Sequence, residues 1–162
     1  MATLSVWKFD DADGASGAEQ VLLELQSKEL IRVHDAAVVS WPSDAKKPKT
    51  RQLHNLTGAG ALGGSFWGFL FGILFFVPLL GVAIGAAVGA LSGSLADVGI
   101  DDSFIKRIRE KVTPGTSALF LLSSDAVPDR VAEAFQGVRA ELLETNLSRD
   151  DENALRAAFA PE

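Results

Sequence analysis

The chain has 162 residues, 15 of them basic and 21 acidic, and no cysteine. Disulfides, thiolate nucleophiles and cysteine-based metal sites are excluded, and a net charge of −6 argues against nucleic acid as a partner. Every charged residue and both histidines lie outside Asn55–Ala96, a run of 42 residues in which the chain-wide 22% would place about nine charges. The remaining 120 residues are 30% charged, an ordinary soluble composition sufficient for one small core. The mean hydropathy of +0.20 therefore averages two different materials. That excludes a uniform soluble domain and, equally, a polytopic transporter.

The first ten residues lack a basic start and a long apolar stretch, so no cleavable secretory signal is expected. Thr3–Phe9 alternates as a strand, with Leu4 and Val6 on one face and Trp7 and Phe9 on the other. Asp10–Gly17 is a turn cluster. Ala18, Val21, Leu22 and Leu25 then follow a helical spacing, with Glu19, Glu24 and Lys28 off that face. Ile31–Trp41 reads as a long strand, and Pro42–Thr50 as a polar loop carrying Lys46, Lys47 and Lys49. Beyond the uncharged run, Asp101-Asp102-Ser103 opens a helix with Phe104, Ile108 and Val112 on one face, ended by Thr113-Pro114-Gly115. Ser117–Ser123 is an apolar strand, Pro128 starts a helix, and Val138–Thr145 is the last strand. A short helix begins at Ser148.

Two β-α-β units predict an α+β fold, specifically a ferredoxin-like split βαβ sandwich of four antiparallel strands with two helices on one face. Residues 1–54 and 97–147 are its two halves, 148–162 a C-terminal helix, and 55–96 an apolar insert between the halves.

Ten of the 15 glycines fall in that insert. Eight form two ladders at strict spacing four: Gly60, Gly64, Gly68, Gly72, then Gly81, Gly85, Gly89, Gly93. On a helix each ladder is one smooth face, which lets a second backbone approach as small-xxx-small helices do in lipid. In water such helices would lose about 1 kcal/mol per glycine, whereas in lipid the backbone must satisfy itself and helix is enforced. Each arm spans roughly 27–30 Å as a helix, close to the hydrocarbon thickness of a bilayer. Leu62, Phe66, Phe69, Leu70 and Ile73 make the opposite face of the first arm. The expectation is a glycine-zipper helical hairpin with its tip at Phe75, Phe76, Val77 and Pro78; the alternative is a glycine-rich loop buried in a soluble protein. The tip has no polar residue, so the hairpin either spans a membrane or gathers into the centre of a lipid-containing assembly.

Lys46, Lys47, Lys49 and Arg51 precede the hairpin, and Lys106, Arg107, Arg109 and Lys111 follow it. By the positive-inside rule both soluble halves are cytoplasmic, and the first cluster is placed at lipid headgroups. Among catalytic motifs, Gly58-Ala59-Gly60-Ala61-Leu62-Gly63 spells a dinucleotide fingerprint but opens an uncharged segment with no acidic residue after it. His34 and His54 have no partner motif. Asp10, Asp11 and Asp13 read as a turn that caps the next helix. No catalytic residue, cofactor or metal site is expected.

The strand ending at Trp41, the glycine-rich Thr57–Ala96 run, Phe104-Ile105-Lys106, the segment Pro114-Gly115-Thr116-Ser117-Ala118-Leu119-Phe120-Leu121-Leu122 and the close near Leu147-Ser148 together resemble the bacterial DUF1269 family, small predicted membrane proteins of unknown function. The resemblance implies membrane association and carries over no catalytic residue. The expected function is a non-enzymatic structural or scaffolding protein of the bacterial inner membrane, or of a cytoplasmic lipid-containing assembly, with lipid and its own copies as partners. A membrane-anchored domain that senses a small ligand is the alternative. A pore ranks last, because no polar residue is placed to line a lumen.

Overall fold

A computed structural model of the chain describes residues 2–28, 33–52, 67, 70–76, 100, 102–124, 127–134 and 140–150. The elements run β1 (Ala2–Phe9), α1 (Gly14–Ser27), β2 (Val33–Ser40), β3 (Lys49–Gln52), a π-helical turn (Gly72–Phe76), α2 (Asp102–Lys111), β4 (Ser117–Ser124), α3 (Val127–Ala134) and β5 (Ala140–Leu147). They build an α+β fold around one five-stranded antiparallel sheet in the order β3-β2-β4-β1-β5. β4 lies between β1 and β2 and antiparallel to both, and β1 lies in the same way between β4 and β5.

The central strand explains the layering. β4 has no polar residue between Ala118 and Leu122, so both of its faces must be covered. Leu119 and Leu121 join Trp7, Phe9, Ala36 and Val38 on one face, under Ala15, Ala18 and Leu22 of α1 and Val131 of α3. Ala118, Phe120 and Leu122 join Leu4, Val6, Ala37, Val39, Leu143 and Leu147 on the other. That second face is covered by Phe104, Ile105, Ile108 and Val112 of α2, by Ile100, and by Trp67, Leu70, Phe71, Leu74 and Phe75. The two helices expected on one face are there, and a second apolar layer closes the sheet from the opposite side.

Three local features differ from the sequence reading. The loop expected through Thr50 ends in an edge strand, β3, paired from Ala37↔Gln52 to Ser40↔Lys49. Its residues Lys-Thr-Arg-Gln carry no apolar alternation; the strand exists because β2 offers it an open edge, and exposed charge suits an edge. β5 runs two residues beyond its expected end, to Leu147, and Ala140 and Leu142 do share the predicted face. The start of α1 is not capped by an aspartate side chain: Asp13 makes no such bond, and Asp11 Oδ1 accepts from the Asp13 N–H instead. The Ala15 N–H donates to Ser117 Oγ at 2.8 Å, a buried contact 102 residues away in sequence. Gly14 is required just before it, because a β-carbon there would stand 2.6 Å from Phe9 Cβ. At the far end of α1, the exposed Glu24 carboxylate is held below its usual range by the hydrogen bond from Lys28 and by that ammonium's charge.

The α2–β4 turn joins the β2–β3 loop. Gly115, at φ +88°, donates its N–H to the Trp41 carbonyl at 2.7 Å, and the Trp41 N–H donates to Thr116 O at 3.0 Å. A side chain at position 115 would be strained in that left-handed conformation. Ser117→Ala leaves the Ala15 N–H buried without its acceptor. The expected cost is about 1–3 kcal/mol in urea unfolding of the full chain.

Candidate functional site

The described part of the uncharged run does not stand clear of the sheet. Trp67, Leu70, Phe71, Leu74 and Phe75 recur at the i, i+3, i+4, i+7, i+8 spacing of a helix face, and all five are at most 4% exposed. Their rings form a continuous ladder. Trp67 stacks on Phe71 with centroids 5.8 Å apart, and Phe71 lies 6.0 Å from Phe75. Phe120 of β4 meets Phe71 at 5.1 Å and 84°, and Trp67 at 6.3 Å and 83°. Phe75 meets Trp41 edge-on at 5.7 Å. Edge-to-face pairs of this kind add roughly 0.5–1.5 kcal/mol each beyond the area they bury.

Of the expected site residues, Phe75 therefore lies in the core under the sheet, beside the end of β2. Phe76 closes the π-helical turn, while Val77 and Pro78 are outside the described residues. Gly72 opens that turn, and a β-carbon added to it meets nothing within 4 Å among the described residues. Gly60, Gly64, Gly68, Gly81, Gly85, Gly89 and Gly93 lie outside the described residues, and so do Leu62, Phe66, Phe69 and His54. Leu70, on the bulky face opposite the glycines by its spacing, is fully buried against the sheet. The aromatic spacing was present in the sequence; the stricter glycine period in the same stretch overshadowed it. Among the described residues no helix is long and apolar enough to cross a membrane.

The basic residues divide between two places. Lys46 and Lys47 are exposed on the β2–β3 loop. That loop sits at the end of the sheet where β1 and β2 finish and β4 begins, because Phe9 and Ser40 both pair with Ser117. The α2–β4 turn is bonded to the same end through Trp41. α2 presents Lys106, Arg107 and Lys111 outward; Arg107 lies over the Phe104 ring at 5.5 Å, and Lys111 pairs with Glu141 of β5 at 3.1 Å. Since Phe75 touches Trp41, the chain also reaches this end as it leaves the aromatic ladder.

Lys49 and Arg51 belong elsewhere. They sit on β3 opposite Ser40 and Val38, on the sheet face that α1 covers. Arg51 Nη2 reaches both carboxylate oxygens of Glu19, at 2.5 and 3.2 Å. Glu19 lies off the apolar face of α1 by its spacing, yet its side chain is only 7% exposed. Sequence spacing on α1 could not reveal that a strand edge would arrive beside it. Asp10 of the acidic turn pairs with Lys8 at 2.7 Å. Among the described residues no three His, Asp or Glu side chains gather as a metal site. His34 lies in β2.

These observations define an α+β protein whose antiparallel sheet is sealed on one face by an aromatic stripe from an uncharged segment. The family profile described as "Protein of unknown function (DUF1269)" matches residues 61–160, and the chain belongs to that family. No curated protein and no solved structure matches it.

Two substitutions separate the aromatic stripe from the glycine ladder. Phe71→Ala is expected to cost about 3–5 kcal/mol in chemical unfolding. Gly72→Ala is expected to stay within about 1 kcal/mol of the parent, on the stabilising side, because helix propensity rises and nothing described opposes the added methyl.

Proposed function

We propose that this chain is a non-enzymatic, lipid-associated structural protein that self-associates through the glycine-rich part of its uncharged segment. The observation that carries the reading is the Phe75–Trp41 contact. It brings the chain, just ahead of Val77–Ala96, to the sheet end where Lys46 and Lys47 are exposed. An uncharged apolar run starting beside free lysines matches the order of a bilayer, headgroups first and hydrocarbon beyond. The docked aromatic stripe is occupied by the sheet, and in this reading the glycine ladders and the remaining apolar residues serve lipid or another copy. We place the sheet domain on the cytoplasmic side of the inner membrane, or in a lipid-containing assembly.

In this reading the fold is a split βαβ, ferredoxin-like sandwich interrupted by a glycine-zipper hairpin. The strand order β2-β4-β1-β5, with α1 and α3 on one face, supports it, and β3 is then an added edge.

Purification of the full chain with and without detergent, followed by mass measurement and lipid analysis, tests the reading. The expected particle is a multiple of the 17.2 kDa protomer with lipid attached, and Gly68→Leu or Gly85→Leu shifts it toward single protomers. A monodisperse, lipid-free 17.2 kDa monomer extracted without detergent would sink the proposal. Charge reversal at Lys46 and Lys47 is expected to weaken sedimentation with anionic vesicles by about fivefold per residue at low salt, with little change on neutral vesicles.

A further inference from the structure

We infer that the cleft between α1 and β3 binds one small oxyanion, a carboxylate or a phosphate. This does not rest on the lipid or assembly reading. The cleft has a volume of about 290 Å³, the small end of ligand sites, and is lined by Ser16, Val38, Ser40, Lys49, Thr50 and Arg51. Its geometry follows from the register. Lys49 and Arg51 are two residues apart on β3 and so share one face, with stems about 7 Å apart along the strand. Val38 and Ser40 stand opposite them on β2, and Ser16 contributes from the first turn of α1.

Glu19 organises the site. Its buried carboxylate engages Nη2 of Arg51, which cancels one charge and holds the guanidinium against the cleft. The other guanidinium N–H groups remain as donors. Ser40 gives its hydroxyl hydrogen to Ala12 O at 2.6 Å and so contributes a wall rather than a donor. The Lys49 ammonium adds an uncompensated positive charge and the Ser16 hydroxyl a further donor. One net positive charge, convergent N–H and O–H donors and the apolar floor of Val38 suit an anion with a short carbon body.

Two sources share this chemistry: a dissolved phosphate or carboxylate, and a phospholipid headgroup. Equilibrium dialysis of the full chain against radiolabelled inorganic phosphate tests the first, and sedimentation with phosphatidylglycerol vesicles the second. Far-UV circular dichroism confirms that each variant is folded. For dissolved phosphate, one saturable site per chain is expected. Lys49→Met should weaken it about tenfold and Ser16→Ala several-fold, while Lys47→Met, outside the cleft, changes it less than about twofold. If dissolved phosphate does not bind but vesicle binding falls with Lys49→Met and not with Lys47→Met, the oxyanion is a headgroup at the same site. Equal loss with both lysine variants in both arms, or no saturable binding of either probe by the folded parent chain, overturns the inference.

Discussion

The rest of the structure depends on one constraint: a sheet whose central strand is apolar on both faces cannot leave either face in water. Ala118–Leu122 of β4 alternates between two cores, and every one of those residues is fully buried. α1 and α3 close one side. On the other, α2 covers part of the face, and Phe120 is left for the aromatic ladder of Trp67 and Phe71. Each large side chain removed from water contributes roughly 1.5–3 kcal/mol, so five at one face make a firm seal. The described part of the uncharged segment is thus part of the folded domain.

Gly72, the described glycine of this stretch, is placed differently from the rings. In the sequence a glycine ladder and an aromatic stripe overlap, with Gly68 and Gly72 falling between Trp67 and Phe75. The stripe meets the sheet because large rings gain most from burial. Gly72 has open space beside it among the described residues, so at this position the small side chain is not explained by contact with the sheet. Contact with lipid or with a second copy is the use we propose for such a position.

Charge is distributed with similar economy. Lys46 and Lys47 stay exposed on a loop tied through Trp41 to the α2–β4 turn. Arg51, only four residues after Lys47, is committed to Glu19 across the α1–β3 cleft. A buried carboxylate is costly unless paired, and Arg51 supplies that partner from β3. One basic cluster in sequence becomes two sites with different neighbours.

Much of this protein was legible in its residues. The alternation of Thr3–Phe9, the helical spacing after Ala18, the Phe104-Ile108-Val112 face and the apolar run of β4 each specify an element, because burial periodicity is a local property of the chain. The family likeness was legible for the same reason. What only the tertiary structure decided depends on partners distant in sequence. β3 has no hydrophobic signal and forms because β2 has a free edge. The first turn of α1 is satisfied by Ser117, 102 residues away, rather than by the aspartates beside it. Glu19 looks like a solvent residue until Arg51 reaches it from 32 positions along the chain. The aromatic stripe could be counted in the sequence, but that Trp67, Phe71 and Phe75 face the core was settled by the apolar sheet face waiting to be covered.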